Sequence, residues 1–527
     1  MGLDPVTLQV LIGGLRAACE EMGAVLVRSA HSANIKERRD CSTALFDAAG
    51  EMVMQAEHIP VHLGSMPAAV AAVIDREQRP GEVWMLNDPY RGGTHLPDIT
   101  LISPVFGSGM LIGFAASRAH HADVGGPTPG GMPAHSTRLE DEGVVIPPMP
   151  AGMHELEELA SRMRSPRQRL ADLRAQRAAN RIGVLRLNEL AQRHGLDQLR
   201  AGMDETLAYA ERRTRAALGG LPDGTYEATD VMEADAAGEP RDVTLRVAAT
   251  VAGDGLRLDF SGTDPQVEGN LNCPLSVTKS AAYFAVRVLT DPDSPPSAGA
   301  YRPIELIAPE GCLVNARSPA AVAAGNVETS SRVADLVIAA LGGARPAPAQ
   351  GQGTMNNLTL AGKRPGRRAE GRADERVDVD FTYYETLGGG QGACPEADGP
   401  SAVHVAMSNT LNTPVEALES EFPLRVRELS VRRGSGGAGL HRGGDGIVRE
   451  LEALAPMSFT LISERRRHPP RGREGGGDGK PGVNLLNGEP LGSKASGELD
   501  AGDRVRIESP GGGGHGDSES ESPTSPG

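Results

Sequence analysis

Residues 87–106 read NDPYRGGTHLPDITLISPVF, and this stretch indicates how the N-terminal part of the chain folds. The Asn-Asp-Pro triplet and the glycine pair are typical of turns, whereas the apolar residues from Ile99 onward are typical of a buried strand. His95 and Asp98 lie where the turn passes into the strand. An imidazole and a carboxylate are therefore placed close together at the start of a predicted strand, as two side chains that could act on one ligand.

Helix and strand signals lie on both sides of this stretch. DPVTLQVLIGGLRAACEEMGAVLVRSA begins with Asp4, which can cap a helix, and Pro5, which suits its first turn. CSTALFDAAGEMVMQ predicts two short strands around a turn at residues 48–50, and residues 83–123 alternate apolar runs with Gly, Pro and Asp turns. These patterns predict an N-terminal α/β region.

Two helices are predicted next. The first begins at Ser165-Pro166, a cap followed by a first-turn proline, and runs to Gly195; the second covers about residues 197–220. Residues 161–220 carry 13 arginines and 6 acidic residues. We interpret the arginines as a solvated helix face; the alternative is a docking face for an acidic partner subunit.

The pattern changes after residue 220. VTLRVAATVAGDGLRLDF, residues 243–260, alternates apolar and polar positions around a Gly-Asp-Gly turn, which is typical of a β-hairpin with one buried face. Residues 363–380 are charged and poor in apolar side chains, which predicts a surface loop.

The predicted fold class is α+β and multidomain, with an N-terminal α/β metal-binding region, a helical hairpin and a β-rich C-terminal half. The predicted domains are 1–160 (α/β, metal site), 161–220 (helical hairpin), 221–345 (β-rich), 346–516 (mixed α/β, glycine-rich) and 517–527 (disordered tail).

Composition argues against several classes of protein. The chain has 527 residues, a formal net charge of −16 and a pI of about 5.4, so we expect no general affinity for nucleic acid or anionic membranes. We find neither a basic-then-apolar leader nor an apolar run of roughly 18 residues, so export and membrane insertion are not expected. The five cysteines form no Cys-x-x-Cys pair, which predicts buried thiols in a reducing cytoplasm.

Nucleotide-binding motifs are weak. GGGGHG, residues 511–516, satisfies Gly-x-Gly-x-x-Gly after the strand-like RVRIE, but no helical pattern follows its last glycine. The P-loop pattern Gly-x-x-x-x-Gly-Lys-Ser/Thr does not occur in the sequence. Any nucleotide is therefore expected to bind to another chain.

Histidines and aspartates concentrate between residues 31 and 135. They are Asp40 in ERRDCS, His58 and His62 in AEHIPVHLGS, Asp88, His95 and Asp98 in the quoted stretch, and His120, His121 and Asp123 in RAHHADVGG. An imidazole and carboxylate set without thiolates suits Mn²⁺, Fe²⁺ or Zn²⁺, but the spacing alone leaves a metal site and ordinary structural roles equally open. Pro60 between His58 and His62 argues against a zinc-binding helix, so these two are interpreted as pocket groups.

Ten blocks of the sequence, in their order and spacing, resemble the hydantoinase B/oxoprolinase family. They are ERRDCSTALFDAAGEM, HIPVHLGSMPAAV, LNDPYRGGTHLPDITLISPVF, HHADVGG, EGVVIPP, DFSGTDPQVEGNLN, YYETLGGGQGA, NTPVEALESEFPLRV, GGAGLHRGGDGIVRE and SPGGGGHG. The resemblance extends from Asp4 to Gly516 and departs only at the 363–380 loop and the Ser-rich tail.

The resemblance implies a B-type subunit in a hetero-oligomer with an A-type, ATP-binding subunit. It implies a divalent metal, Mn, Zn or Fe, held by Asp40, His95, Asp98 and His120. His121 and Asp123 are then predicted to orient ligands or move protons in catalysis, and His58, His62 and Asp88 to contact substrate or support the ligands. The convergence of His95 and Asp98 on one ion would explain their position between turn and strand.

Three functions stay open at this point. The leading hypothesis is an ATP-dependent cyclic amide hydrolase of the hydantoinase or 5-oxoprolinase type, in which phosphorylation of the amide oxygen makes a poor electrophile attackable and the metal polarises the group. The second is a subunit of an ATP-dependent ketone carboxylase. The third is a metal-stabilised assembly subunit without chemistry of its own.

Overall fold

The computed structural model describes residues 4–57, 59–234, 241–365 and 378–517. Four β-sheets with helices packed on them make up this part of the chain, so the predicted α+β class is confirmed. His58, the centre of the predicted 363–380 loop and residues 518–527 of the predicted tail lie outside the described residues.

The N-terminal sheet has six strands. Their bounds are β1 Cys41–Asp47, β2 Met52–Glu57, β3 Trp84–Leu86, β4 Asp98–Gly107, β5 Met110–His120 and β6 Met149–Pro150. They pair antiparallel in the order β2-β1-β5-β4-β3-β6. The strands predicted on both sides of residues 48–50 are β1 and β2, and β4 begins at Asp98, within the quoted stretch. This sheet carries the residues of the candidate site at the ends of its central strands.

In the described residues, six α-helices accompany this sheet. Their bounds are α1 Pro5–Ser29, α2 Ala33–Lys36, α3 Ser65–Ala71, α4 Met153–Ser161, α5 Pro166–His194 and α6 Leu196–Leu218. Asp4 caps α1 as predicted, because its carboxylate accepts hydrogen bonds from the backbone N–H groups of Val6 and Thr7. α5 lies along α1 and against β4 and β5, and buried Leu11, Leu15 and other aliphatic side chains fill the space between helices and sheet.

The two helices predicted after residue 161 are present as α5 and α6, with Gly195 between them. Ser165 occupies the N-cap position of α5 and Pro166 its first turn, as predicted, but the Ser165 side chain makes no capping hydrogen bond. Ser165 has a left-handed backbone (φ 53°) and its hydroxyl donates to the carbonyl oxygen of Asp380. Part of the arginine-rich face is used within the chain, since Arg186 pairs with Glu21 and Arg213 with Asp291.

A second sheet follows, for which the described residues supply four strands and two α-helices. The strands are β7 Gly224–Glu233, β8 Asp242–Ala252, β9 Gly255–Asp259 and β10 Ile304–Ile307, and the helices are α7 Leu275–Thr290 and α8 Ser330–Leu341. β8 and β9 form the predicted hairpin around the Gly-Asp-Gly turn. A π-helical turn, Gly325–Thr329, leads into α8. One apolar core joins this unit to the first sheet. Its buried side chains come from segments as far apart in the sequence as Ala44 and Ile462.

Within the described residues, the C-terminal part holds nine strands in two sheets and one α-helix. These are β11 Asn357–Pro365, β12 Asp378–Glu385, β13 Leu424–Arg432, β14 Gly446–Ala453, β15 Met457–Ile462, β16 Val483–Leu486, β17 Glu489–Leu491, β18 Lys494–Leu499, β19 Arg504–Glu508 and α9 Val415–Glu421. The sheet orders are β12-β11-β15-β18 and β13-β14-β19-β16-β17. Side chains from both sheets, such as Phe459 and Ile507, share one core.

The glycine-rich segments of this part pack backbone against backbone. A Cβ on Gly512 would lie 2.0 Å from the carbonyl oxygen of Gln391, and one on Gly443 would lie 1.9 Å from that of Gly512. The backbone N–H groups of residues 511–516 donate in turn to carbonyl oxygens of residues 480, 444, 350, 477, 441 and 473. GGGGHG therefore holds neighbouring segments together, and its N–H groups are already used within the protein.

Two expectations about compartment can be compared with the structure. None of the described helices has an apolar stretch long enough to cross a bilayer. All five cysteines are free thiols; four are buried and Cys394 is partly exposed. Burial, together with the neighbouring charge of Asp40, raises the pKa of the Cys41 thiol, so this cysteine is not an activated nucleophile.

Candidate metal centre

His95, Asp98 and His120 meet in the interior of the protein. The Nε2 atom of His95 lies 3.2 Å from Oδ1 of Asp98 and 3.2 Å from Nδ1 of His120, and that Nδ1 lies 3.3 Å from the same Oδ1. All three side chains are buried. Three potential ligand atoms thus form a nearly equilateral triangle without access to bulk water.

The loop before β4 is shaped by glycines and by one asparagine. Asn87 donates to the carbonyl oxygens of Leu96 and Val144 and accepts from the N–H of Ile146. Gly93 is required by space, because a Cβ there would lie 2.2 Å from the carbonyl oxygen of Asn87. The loop is therefore pinned at Asn87, and it delivers His95 next to the first residue of β4.

Strand pairing brings in the second histidine. β4 and β5 pair so that Asp98 stands opposite His120, and β1 lies on the other side of β5. Asp40 immediately precedes β1, and its carbonyl oxygen accepts from the N–H of His120 at 3.1 Å. Asn34 donates both to the carbonyl oxygen of His120, at 2.9 Å, and to Oδ2 of Asp40, at 3.4 Å. The ends of three adjacent strands therefore supply the cluster.

Asp98 is stabilised as an anion. Burial by itself would raise the pKa of its carboxyl group, but the electrostatic interaction with His95 and hydrogen bonds from His120, His62 and His95 outweigh burial and hold that pKa well below its usual range. Thr94 donates to Oδ2 at 2.6 Å, which orients the carboxylate and leaves Oδ1 facing the two imidazoles.

A small cavity adjoins the cluster, with a volume of about 20 Å³. It is lined by Asp40, Ile59, Val61, His62, His95, Asp98, His120, Asn326, Val327, Met355, Tyr384, Thr386, Ser408 and Thr410. The ring of Tyr384 stacks on His120, with centroids 4.4 Å apart and planes inclined by 16°. This stacking fixes the orientation of the imidazole.

The donor set fits a divalent cation. Atoms 3.2–3.3 Å apart are separated by the distance expected between neighbouring ligands of an ion with bonds of roughly 2.0–2.2 Å. Two imidazoles and a carboxylate without sulfur suit Zn²⁺, Mn²⁺ or Fe²⁺. In the described part of the chain, Nδ1 of His95 and Nε2 of His120 have no hydrogen-bond partner, so ring orientation depends on packing instead of the usual acceptor on the second nitrogen.

The other predicted site residues are placed as follows. Asp40 lines the cavity but is not part of the three-residue cluster. His62 also lines the cavity; its Nε2 lies 3.5 Å from Oδ2 of Asp98 and its Nδ1 lies 2.9 Å from Oγ of Ser42. Burial lowers the pKa of His62, although Asp98 acts in the opposite direction. Both residues can therefore act on whatever the cavity holds.

His121, Asp123 and Asp88 do not line the cavity. Nε2 of His121 pairs with Oε1 of Gln176 on α5 at 2.9 Å, and burial lowers the pKa of this histidine to about 4. Asp123 accepts from the N–H groups of residues 125, 130 and 164 and pairs with Arg164. Asp88 accepts from the N–H of Tyr90 and so shapes the loop before His95. In this structure Asp88 and Asp123 organise loops near the site, and His121 contacts helix α5.

Sequence reasoning missed the opposite wall of the cavity. Asn326 and Val327 come from the π-helical turn, Tyr384 and Thr386 from the end of β12, and Ser408 and Thr410 from the segment before α9. Tyr384 and Thr386 lie in the block YYETLGGGQGA, which carried the family resemblance. That family-like block was the sequence feature that could have pointed to these residues. No pattern within it, however, indicates contact with residues about 260 positions earlier in the chain.

The protein is thus an α+β protein with several β-sheets. It contains a buried candidate metal site formed by two histidines and one aspartate. The chain belongs to the hydantoinase B/oxoprolinase family, which matches residues 4–518.

The sequence is similar to a 5-oxoprolinase and to a hydantoinase subunit. A 5-oxoprolinase from Dictyostelium discoideum is 37% identical over 539 residues, which cover 98% of this chain and 41% of that protein. A putative D-/L-hydantoinase subunit of the B type from Pseudomonas sp. (strain NS671) is 33% identical over 510 residues, which cover 91% of this chain and 83% of that protein. The chain thus spans about two fifths of the 5-oxoprolinase and most of the hydantoinase subunit.

Two solved structures share the fold. The ATP-dependent caprolactamase from Pseudomonas jessenii superimposes with a TM-score of 0.89 at 30% identity, covering 98% of this chain and 91% of that chain. An acetone carboxylase superimposes with a TM-score of 0.84 at 18% identity, covering 97% of this chain and 76% of that chain. The second similarity extends to the fold only.

Proposed function

We propose that this chain is the metal-carrying, B-type subunit of an ATP-dependent enzyme that hydrolyses cyclic amides. The observation that carries the proposal is the buried His95, Asp98 and His120 cluster beside a cavity. The similarity to an ATP-dependent caprolactamase along nearly the whole chain supports a lactam or hydantoin as the substrate class.

The proposed division of labour assigns ATP to an A-type partner subunit. The N–H groups of residues 511–516, the one glycine-rich motif that suggested phosphate binding, are used by the protein's own carbonyls. The 5-oxoprolinase relative is more than twice as long as the matched region, which leaves room in that protein for a nucleotide-binding part. A hetero-oligomer is therefore part of the proposal.

We assign the ion to His95, Asp98 and His120, with Asp40 as the fourth ligand from the same cavity. A bound divalent ion would supply Lewis acidity to an oxygen of the activated amide. Asp98 contributes the negative charge that holds a cation, and Thr94 fixes the direction of that carboxylate. Burial of the cluster excludes bulk water, which strengthens each electrostatic contact and limits wasteful hydrolysis of an activated intermediate.

Amide activation explains why ATP is needed. An amide carbonyl is a poor electrophile, and transfer of a phosphoryl group to its oxygen in the partner makes the carbon open to attack. The buried cavity of this chain is where we place the water that adds to that carbon. A cytoplasmic location is part of the same proposal and is supported by the five free thiols.

The test is a co-purified complex of this chain with its A-type partner. We expect ATP-dependent ring opening of caprolactam, 2-pyrrolidinone, 5-oxoproline or hydantoin, measured as release of phosphate together with the open-chain acid. Carboxylation of a ketone with bicarbonate, without amide hydrolysis, would assign the chain to the carboxylase class instead. Full activity of the complex after removal of all divalent metal would contradict the role of the cluster.

A further inference from the structure

Asn326 lines the same cavity as the three ligand residues. The residue is only 3% exposed, and its Oδ1 has no hydrogen-bond partner among the described residues. A buried amide oxygen without a partner is unfavourable, and such groups are rare in folded proteins. A ligand absent from the bare chain would satisfy it.

The backbone holds Asn326 in this place by several contacts. Gly325 donates its N–H to the carbonyl oxygen of Asn270, and a Cβ on Gly325 would lie 1.9 Å from the carbonyl oxygen of Asn272. The hydroxyl of Ser330 donates to the carbonyl oxygen of Asn326 at 2.5 Å. The residue also lies in the π-helical turn, a feature often found at functional sites. The backbone position of Asn326 is thus set by the fold.

The cavity has the size and the polar groups for one water molecule. Its volume of about 20 Å³ exceeds the minimum of roughly 10–15 Å³ that a single buried water needs. Besides Asn326, the polar residues Asp40, Ser408 and Thr410 line the cavity. A water in the cavity could donate to the amide oxygen of Asn326 and contact one of these groups as well.

We infer that Asn326 positions the water that attacks the activated amide. This inference rests on the proposed function. In the reaction, the water oxygen bonds to the phosphorylated acyl carbon and the C–N bond breaks. Both protons of the water pass to the ring nitrogen, so an amine and an acyl phosphate result. A second water then hydrolyses the acyl phosphate, which gives the open-chain acid and phosphate. The role of Oδ1 is to accept one O–H of the water, so that a lone pair of its oxygen points to the carbon.

The test compares Asn326→Ala with a matched buried asparagine. Asn180 on α5 is also buried and its Oδ1 likewise has no partner among the described residues, but its amide nitrogen donates to the carbonyl oxygen of Leu101 at 2.9 Å and the residue lies outside the cavity. We expect Asn326→Ala in the complex to lower kcat by roughly 100-fold, the scale of a misplaced reacting group, with little change in KM or metal content. We expect the melting temperature of this variant to be unchanged or higher, because no protein hydrogen bond is lost. Asn180→Ala should do the reverse, with a lower melting temperature and normal kcat.

A crystal structure of the metal-loaded chain supplies a readout without turnover. We expect an ordered water within about 3.2 Å of Oδ1 of Asn326, and we expect it to be missing from Asn326→Ala. An empty cavity, a kcat of Asn326→Ala near that of the unchanged complex, or a melting temperature lowered as in Asn180→Ala would overturn the inference. Loss of metal in Asn326→Ala would also overturn it, because Asn326 would then be a ligand. A complex that opens no cyclic amide, although the water is present, would instead refute the proposed function and with it the catalytic use of that water.

Discussion

Replacement of Asp98 by asparagine is the sharpest test of the metal centre. The side chain is 2% exposed, Oδ1 faces two imidazole nitrogens, and Oδ2 accepts a hydrogen bond from Thr94. Asparagine keeps the shape and removes the negative charge, so the change acts on cation binding and leaves packing nearly unaltered. We expect Asp98→Asn to lose metal and turnover while it keeps its fold.

A milder change at the same carboxylate gives a lower limit for the loss of metal affinity expected in Asp98→Asn. Thr94→Val removes only the hydroxyl that donates to Oδ2 at 2.6 Å, and loss of such a supporting contact typically lowers metal affinity by roughly 10- to 100-fold. Loss of the anionic ligand itself should therefore lower affinity by more than about 100-fold. In the metal-free chain, a charge-assisted hydrogen bond of about 1.5–3 kcal/mol is weakened while the cost of a buried charge disappears, so the net change in the free energy of unfolding should be small.

The assay has three parts. Metal affinity is measured by titration of the metal-free chain with Mn²⁺ and Zn²⁺, and metal content by elemental analysis. Turnover is measured in the complex with the A-type partner. Circular dichroism and co-purification then report whether fold and subunit association persist. His95→Ala should behave as Asp98→Asn does, and Thr94→Val should lie between these variants and the unchanged chain.

Two results would refute the reasoning. If Asp98→Asn keeps full metal occupancy and turnover, the ion is bound elsewhere, and His58, His62, His121 and Asp123 become the next candidates. If the variant loses its circular dichroism signal or its partner, the cluster has a structural function and the chain fits the assembly-subunit hypothesis.

Other parts of the molecule support three further predictions. The isolated chain should not bind ATP, because the N–H groups of residues 511–516 are already used; tight binding in equilibrium dialysis would contradict this. Gly512→Ala should lower the melting temperature, because the new methyl group would lie 2.0 Å from a carbonyl oxygen and overpacking costs about 1–3 kcal/mol. The control is Gly13→Ala in α1, where no atom lies within 4 Å of the new Cβ. This control should be neutral or stabilising. Burial raises the pKa of Glu328 from 4.5 to about 8, so the folded chain keeps a proton that the unfolded chain releases, and stability is lost as the pH rises from 4.5 to about 8. Glu328→Gln should remove that loss, which would appear as a gain in melting temperature at pH 8.5 and little gain near pH 4.5.

Sequence patterns predicted the local elements where the signal comes from neighbouring residues. Asp4 and Pro5 start α1 because a carboxylate there meets free N–H groups and the proline ring presets φ. The alternation in residues 243–260 predicted β8 and β9 because one face of that hairpin is buried. The same logic failed for the capping hydrogen bond of Ser165, whose left-handed backbone places its hydroxyl on Asp380, a contact that no local pattern contains.

The sequence by itself therefore determined the helices and strands with local signals, the overall α+β class, and, through ten family-like blocks, the family.

Only the tertiary structure decided which side chains meet. The register of β4 and β5 places His120 opposite Asp98, and a one-residue shift would turn one of them to the other face. Asn326 reaches the same cavity from more than 200 positions along the chain because the turn before α8 packs against residues 270–272. Similarly, the glycines of residues 511–514 could not be separated from a phosphate-binding loop until their hydrogen-bond acceptors were known. In each case the deciding contacts join distant segments, and a single sequence specifies such contacts only through the complete fold.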